Sequence, residues 1–413
     1  MAKSNIITGI DIGTSKIRIV VALAKEIDEK PKVIGVGEVL SAGMRKGVVV
    51  DIDEVTENLK KAVEQAELSS GVPINHAYVS IGGSHVNIRE NIGVVAVSRA
   101  DQEVSEEDIT RVVDSASAIS LPPNREIIHV IPRSFKLDEE KDIQDPLGMT
   151  GARLEVNTLI IDGLAPYLKN LTKCISNLGI KIDDLVLDVL AASQSVLSKR
   201  QKELGALVLD LGGGTAGMAV YEEGKLLHMH ILPVGSAHIT NDIAIGLQTT
   251  IDLAEKIKLQ YGSALPSEIK KNENIDLSEL DESETGTYSR REVARIIEAR
   301  TQEIFDLVNR ELKKIGRQKL LPAGVILVGR GSMMSGIVDI AKKELGLPAQ
   351  MGFPSQIDSV IEQVNDPAFA TTTGLILWAL QCQKEPNRRP SGISSNSSTV
   401  DKIRGWFRAF LPY

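Results

Sequence analysis

The sequence predicts an α/β protein of two lobes, in which duplicated halves face each other across a cleft that holds a phosphate-bearing ligand. Three observations predict it. ALVLDLGGGTAGMAV at 206–220 joins an apolar strand, Asp210, the glycines Gly212, Gly213 and Gly214, Thr215 and a second strand. ITGIDIGTSKIRIVV at 7–21 repeats the plan with Asp11, Gly13, Thr14, Ser15 and Lys16. The chain's 413 residues exceed what one hydrophobic core holds, so two lobes or more are expected.

Glycines at such turns tolerate positive φ and let successive backbone N–H groups converge on an anion, while an Asp at the strand end can hold magnesium through water. Asp11 and Asp210 are therefore the metal candidates. Lys16 supplies a point charge for a β- or γ-phosphate. The competing reading is two unrelated hairpins whose glycines serve only tight β-turns. Repetition of the Asp-to-hydroxyl pattern favours the first.

Composition narrows the class. A hydrophobic share of 42% and a charged share of 25% are those of an ordinary globular chain. A net charge of −8 and a pI near 5.5 argue against nucleic acid as the main partner. Two cysteines, Cys174 and Cys382, make neither a disulfide framework nor a zinc site, which fits a reducing cytoplasm. His228 and His230 share one strand face, but no acid or thiol follows at ligand spacing, so core or surface histidines are the simpler reading. The start, MAKSNIITGID, lacks the apolar run of a signal peptide, and no stretch approaches the ~20 apolar residues that span a bilayer. A protein neither exported nor membrane-spanning is expected.

In chain order, the hairpin of 6–23 precedes a strand at 33–40 and a glycine-bent strand at 43–51. Asp53 then caps a helix with Val55, Leu59, Val63 and Ala66 on one face, and Gly71 stops it. A strand at 77–81 ends at Gly82. From about 84 to 158 the pattern changes: a strand at 93–97, a capping box at Ser105–Asp108 opening a helix, then strands at 127–131 and 153–159. This αββ-type module interrupts the repeat and reads as an insertion, and such modules serve contacts more often than chemistry. A helix at 166–178 and a strand-helix unit at 184–199 finish the first half. Asp188 ends that strand and can orient the water that attacks a γ-phosphate, or can simply cap the helix.

The second half repeats the theme at 206–234. A helix at 252–261 carries Glu255 and Lys258 on one face, either hydrogen-bonding a ribose or forming a surface ion pair. Residues 268–287 are polar and expected to be mobile. Ser289 and Glu292 form a capping box for a long helix with Val293, Ile297, Ile304, Val308 and Leu312 inward, stopped by Gly316. A buried strand at 324–328 then runs into Gly329, Arg330, Gly331 and Ser332, a third cleft loop suited to a flat base.

These residues carry a resemblance. The order of Asp-x-Gly-Thr hairpin, inserted module, Asp-x-Gly-Gly-Gly-Thr hairpin and strand-Gly-x-Gly loop resembles the actin, Hsp70 and sugar kinase superfamily. GMRKGVVVDID at 43–53, ISLPPNREIIHVIPRSF at 119–135, DPLGMTGARLEV at 145–156, HITNDIAIGL at 238–247 and LPAGVILVGRGSMMSG at 321–336 look closely like the FtsA family of bacterial cell-division proteins. The likeness runs over essentially the whole chain. It implies an actin-like fold with duplicated ribonuclease-H-like halves: core at 1–83, inserted subdomain at 84–158, core again at 159–203, second-half core at 204–245, outer subdomain at 246–319, and second-half core with a return helix at 320–383. It also implies ATP and magnesium in the cleft, head-to-tail filaments, and the tubulin-like FtsZ as a partner through 246–319, with later division proteins on 84–158.

By motif, Asp11, Gly13, Thr14, Ser15 and Lys16 carry over to the first phosphate loop and Gly212 to Thr215 to the second. Glu255 and Lys258 carry over to the ribose, and Gly329, Gly331 and Ser332 to the adenosine. Departures stand at Ala216 and Gly217, where the family usually has Thr or Ser and then Asp, at Ser236, where a second Gly is usual, and at Arg330, where a Gly is usual.

The tail needs no analogy. KEPNRRPSGISSNSST at 384–399 has almost nothing to bury and reads as a flexible linker with a root-mean-square span of roughly 20 to 25 Å. From 400 to 413 the pattern is a helix with Val400, Ile403, Trp406, Phe407, Phe410 and Leu411 in one arc and Lys402, Arg404 and Arg408 on its flanks. A basic amphipathic helix with a Trp and two Phe suits an anionic bilayer surface and is too short to span it. A terminal helix docked on the core and a ligand for a groove in another protein are the alternatives.

The resulting expectation is a binding and scaffold protein on the cytoplasmic face of the inner membrane at the division site, at most a slow ATPase. It would polymerise there and tether FtsZ. An actin-like component of a pilus or secretion platform is the second reading. A small-molecule kinase is a third, resting on Asp188 without an evident sugar site.

Overall fold

The computed structural model describes residues 5–24, 30–280 and 286–383. In the first half β1 (Asn5–Ile12) pairs antiparallel with β2 (Lys16–Ala24), and β2 with β3 (Lys32–Leu40). A short hairpin, β4 (Met44–Arg45) and β5 (Val48–Val49), leads to α1 (Ile52–Ser70). The cap of α1 is Asp51, not Asp53: Asp51 is still extended and its carboxylate accepts the Glu54 N–H at 3.0 Å, whereas Asp53 already lies inside the helix. Gly71 ends the helix in the left-handed conformation, as expected. β6 (His76–Ile81) then runs parallel to β1.

The insertion consists of β7 (Asn87–Ala96), α2 (Glu106–Ser117), β8 (Arg125–Leu137), β9 (Glu140–Ile143) and β10 (Arg153–Leu164), with sheet order β7-β10-β8-β9. It has a fourth strand that the αββ pattern omits, and β10 continues past Leu159 to Leu164. The Ser105–Asp108 box forms on α2, whose Val112 and Val113 pack with Phe135, Leu154 and Val156 in a core of their own. After α3 (Ala165–Ser176), β11 (Lys181–Leu187) pairs parallel with β6, and α4 (Asp188–Val196) and α5 (Lys199–Leu204) close the half.

The second half contains β12 (Ala206–Leu211), β13 (Ala216–Glu222), β14 (Lys225–Leu232), α6 (Ser236–Leu247) and α7 (Ile251–Tyr261). Next come β15 (Asn274–Asp276), β16 (Thr287–Ser289) and α8 (Arg290–Lys314), then β17 (Gly324–Val328), α9 (Ile337–Leu345), β18 (Ala349–Met351) and α10 (Ala370–Gln383). Within 268–287 the expectation of mobility fails for the described part: β15 pairs with β16, and Ile275 and Leu277 are buried apolar anchors among the charges. Ser289 stands at the N-cap of α8 but makes no side-chain cap bond, because it is the last residue of β16.

The two main sheets have the same plan. Reading β3-β2-β1-β6-β11 and β14-β13-β12-β17-β18 in parallel, each has a three-stranded antiparallel meander followed by two parallel strands. The hairpins that begin at Asp11 and Asp210 occupy equivalent places, so the duplication read from two short motifs extends to five strands a side.

The chain then crosses back. Leu375, Ile376, Trp378 and Ala379 of α10 join the first-half core, and Trp378 donates to Asp184 at 3.0 Å. Helix α10 approaches α4 so closely that a Cβ on Gly374 would lie 1.8 Å from the Ala191 carbonyl oxygen, so no larger residue fits there. The linker at 384–399 and the amphipathic segment, with Val400, Ile403, Arg404, Trp406, Phe407, Arg408, Phe410 and Leu411, lie outside the described residues.

Candidate functional site: a cleft between two glycine turns

The first turn is closed by the Gly13 N–H donating to the Lys16 carbonyl at 3.1 Å, and Thr14 Oγ1 accepts the Gly47 N–H at 3.0 Å. The second turn meets it face to face. A Cβ built on Gly213 would lie 2.2 Å from Ser15 Oγ, and one on Gly214 would lie 2.7 Å from Lys46 Cα and 2.8 Å from Thr14 Oγ1. Between and beside the turns is a cavity of about 580 Å³. Its lining includes Asp11, Gly13, Thr14, Ser15 and Lys16 from one wall and Asp210, Gly212, Gly213, Gly214 and Thr215 from the other. Asp188, Glu255, Lys258, Gly329 and Gly331 also line it.

Ser332 does not. It is fully buried, and its hydroxyl donates to the Gly329 carbonyl at 2.7 Å, bracing the third loop from beneath. That loop is a 3₁₀ turn over Arg330–Met333, and Gly329 enters it with φ 77°, where a Cβ would meet Asp210 Oδ1 at 2.2 Å. Glycine is required at 329 on both counts.

Three carboxylates share the cavity floor. Burial pushes the Asp11 carboxyl above its ordinary value, against a hydrogen bond from Ser80 at 2.6 Å and the charge of Arg18. Burial, then the neighbouring Asp11, pushes Asp210 up to about 7, against Arg18 and Thr371. Asp188 is raised well above its ordinary value, by burial and then by Asp210 and Asp11. All three keep some solvent-accessible surface because they line the cavity, yet they lie deep enough that desolvation dominates. Among the described residues no group of three or more His, Cys, Asp and Glu side chains stands close enough to hold a metal directly, so a cation here would be reached largely through water.

Asp188 is the first residue of α4, with Leu187 at the cap position and no side-chain cap bond. Its carboxylate accepts the Val189 N–H at 2.7 Å and presses on Gly82, where a Cβ would lie 2.1 Å from its Oδ2. Asp188 is thus not the N-cap residue, yet its carboxylate satisfies one first-turn N–H of α4 while it lines the cleft.

Lys16 is less free than its position in the turn suggests, since its Nζ is 2.9 Å from Glu38 Oε2. Arg18, which the sequence reading passed over, pairs with the same carboxylate through Nε at 2.9 Å, is 7% exposed, and lies over the Phe369 ring. Burial would raise Glu38, but these two cations outweigh it and hold the carboxyl below its usual range. Strand register explains the set: Asp11 opposes Arg18 and Arg18 opposes Glu38, so three charges form one row across β1, β2 and β3. The signal was available as charged residues at the ends of otherwise apolar strands.

Glu255 and Lys258 are not a surface pair. Lys258 is 7% exposed, its Nζ lies 2.6 Å from Glu255 Oε2 and donates to Thr240 Oγ1 at 2.8 Å, and Thr240 Oγ1 donates to Glu255 at 2.5 Å. Burial lowers the Lys258 amine, Glu255 raises it, and the nearby Arg330 lowers it. His228 and His230 stack with ring centres 6.5 Å apart and face Glu311 of α8, an acid distant in sequence.

Comparison with known proteins decides the family. Residues 207–374 match the family model described as cell division protein FtsA, and residues 83–162 match that of the SHS2 domain inserted in FtsA. Cell division protein FtsA of Pseudomonas aeruginosa is 35% identical over 408 residues, covering 97% of each chain. The chain belongs to the FtsA family of cell division proteins. FtsA of Bacillus subtilis is 37% identical over 389 residues, 94% of this chain and 87% of that one. FtsA of Escherichia coli K12 is 31% identical over 416 residues, 98% and 97%.

Among solved structures, the PilM–PilN type IV pilus biogenesis complex contains a chain with a TM-score of 0.67 at 16% identity, over 91% of this chain and 98% of that one. MreB5 of Spiroplasma citri bound to ADP gives 0.53 at 12% identity, over 92% and 98%. These likenesses show an actin-like fold, as the FtsA resemblance implied. Family membership separates the chain from the pilus platform that shares its fold.

Proposed function

We propose that this FtsA-family protein binds ATP with magnesium in the cleft, polymerises head to tail, and tethers FtsZ to the cytoplasmic face of the inner membrane at the division site. One observation carries the nucleotide part: two equivalent glycine turns from duplicated half-sheets converge on one cavity with buried carboxylates between them. The solved MreB5 of the same fold, bound to ADP, supports it.

The residues fit the group. Burial raises all three carboxyls, Asp11 adds to the rise at Asp210, and Asp210 and Asp11 add to that at Asp188, so a divalent cation held by Asp11 and Asp210 through water would relieve the cost. The turns at 13–16 and 212–215 would take the phosphates, with Arg18 and Lys16 balancing their charge. Lys258, held by Glu255 and Thr240, would present its amine to the ribose, and the loop at Gly329 and Gly331, packed tightly on Leu211, would offer its backbone to the base. Magnesium, when bound, would supply neutralisation of the phosphate charge. Asp188 would orient an attacking water, and slow turnover is expected.

Residues 246–319 are proposed as the FtsZ-binding subdomain, the inserted module at 84–158 as the dock for later division proteins, and 400–413 as the anchor on anionic lipid. No described helix is long and apolar enough to cross a membrane. One amphipathic helix binds weakly, whereas a filament presenting many binds by avidity. Calorimetric titration with magnesium ATP should give heat and a thermal shift, and a flat titration removes the nucleotide reading. Charged residues at Trp406 and Phe407 should abolish pelleting with anionic liposomes, and undiminished pelleting removes the tail's role. Failure of the purified protein to bind FtsZ removes the tether.

A further inference from the structure

Away from the cleft, the second lobe meets the inserted module along an edge that carries two titratable rings. β14 is the edge strand of the second sheet, and it packs against β7 and β8 of the module. Lys225 Nζ donates to the Asp142 carbonyl at 3.3 Å, and Gln144 Nε2 to the Glu223 carbonyl at 3.5 Å, both long and exposed bonds. His228 and His230 stand two residues apart on β14, with their rings parallel to within 9°. Their Nε2 atoms lie 3.7 and 3.9 Å from the two carboxylate oxygens of Glu311 on α8, too far for hydrogen bonds. The His228 Nε2 is buried and has no hydrogen-bond partner among the described residues.

The charges around the rings already balance. Glu311, 7% exposed, is paired with Lys314 at 2.6 Å, and Glu90 of β7 with Arg133 of β8 at 2.7 Å. Among the described residues these four are the charged groups that reach the rings from α8, β7 and β8, while the strand partners on β13 are the apolar Val220 and Met218. We propose that this seam is a proton-sensitive latch, which holds the inserted module against the second lobe while His228 and His230 are neutral and loosens when they are protonated. Two imidazoliums with ring centres 6.5 Å apart repel each other, and each acid within reach already has its cation. Burial is the largest influence on both rings and holds them below their ordinary value, against the attraction of Glu311. The folded chain therefore binds fewer protons here than the unfolded chain. The latch is intact above an ordinary histidine pKa of about 6.5 and weakens as pH falls below it, whatever the cleft binds.

Hydrogen exchange of the full chain, followed by mass spectrometry near pH 7.5 and at about pH 5.5 with each rate scaled to its unstructured value, reads the seam locally. A local readout is needed because Asp210 shifts global stability in the opposite direction. In the natural protein, protection across 138–145 and 222–230 should fall about ten-fold on acidification while β1 and β2 keep theirs, and with His228→Gln and His230→Gln together the fall should shrink to under about three-fold. No fall in the natural protein overturns the proposal. The same fall in the double variant also overturns it, because the proton then belongs to another group. Greater protection at the lower pH overturns it too, since Glu311 and Glu90 would then be clamping the imidazoliums. If the double variant fails to fold, His230→Gln alone, at the more exposed ring, should reduce the fall to about three-fold, and an undiminished fall there removes the latch.

Discussion

The turns at 13–16 and 212–215 have one backbone plan and different equipment. The first brings hydroxyls from Thr14 and Ser15 and, one strand later, the Asp11–Arg18–Glu38 row with Lys16 attached. The second brings three consecutive glycines, and the strand partner of Asp210 is Gly217 where that of Asp11 is Arg18. The difference teaches how a duplicated fold divides labour: one lobe supplies fixed charge, and the other supplies bare backbone that lets the partner lobe come close.

Substitutions in each lobe and a pH series probe that division. Removing charge from the first lobe should cost most. Arg18→Ala leaves Glu38 poorly compensated and removes the positive charge that lowers both Asp11 and Asp210, and a loss of about 3 kcal/mol is expected in denaturant melts. An unchanged midpoint would mean that the row is ornamental. Blocking close approach in the second lobe comes next. A Cβ on Gly235 would meet the Gly212 and Gly213 carbonyl oxygens at 2.6 Å and the Thr215 nitrogen at 2.8 Å, all backbone, so Gly235→Ala should cost about 1–3 kcal/mol. Gly13→Ala meets a single backbone atom at 2.9 Å and should cost less. The reverse order would sink the comparison.

A smaller effect of opposite sign is expected at the floor. Asp210→Asn removes a buried, repelled charge and should stabilise the nucleotide-free protein by about 1 kcal/mol while weakening magnesium-dependent nucleotide binding. The same group sets a pH dependence. Asp210 titrates near 7 in the folded chain against an ordinary 3.8, so between those values the folded chain holds the extra proton. Stability of the nucleotide-free protein should therefore fall as pH rises through this window, and affinity for magnesium nucleotide should rise over it. Parallel slopes in melting and titration would show that Asp210 is not the shared group. Lys16→Ala should matter least to stability, under about 1 kcal/mol, because its ion pair with Glu38 is partly exposed.

Much of this was legible because turns have strict requirements. Asp before glycine at a strand end, twice, has few steric solutions, and the matching half-sheets follow from it. What escaped the sequence depends on partners distant along the chain. Arg18 looked like one more polar residue until strand register set it between Asp11 and Glu38. Lys16 was assigned to phosphate because no local pattern reveals Glu38 as its partner. Ser332 follows a glycine loop and was read with it, but the 3₁₀ turn rotates its hydroxyl inward. The caps at Asp53 and Ser289 were misjudged because the choice between adjacent cap candidates is made by the preceding strand or turn. Ile275 and Leu277 show how two apolar residues can order a segment whose composition reads as loop.

Helix α10 ends where the first strand begins: Gln383 accepts a hydrogen bond from Asn5. Traction on the chain beyond Gln383 thus enters the lobe that carries the fixed charges, through a helix clamped on α4 at Gly374. A grip on 246–319 pulls on the other lobe. Between the two lies the apolar seam in which Val189 and Ala192 of α4 share one core with Val208, Ala219 and Val328, so tension would load that seam at the base of the cleft.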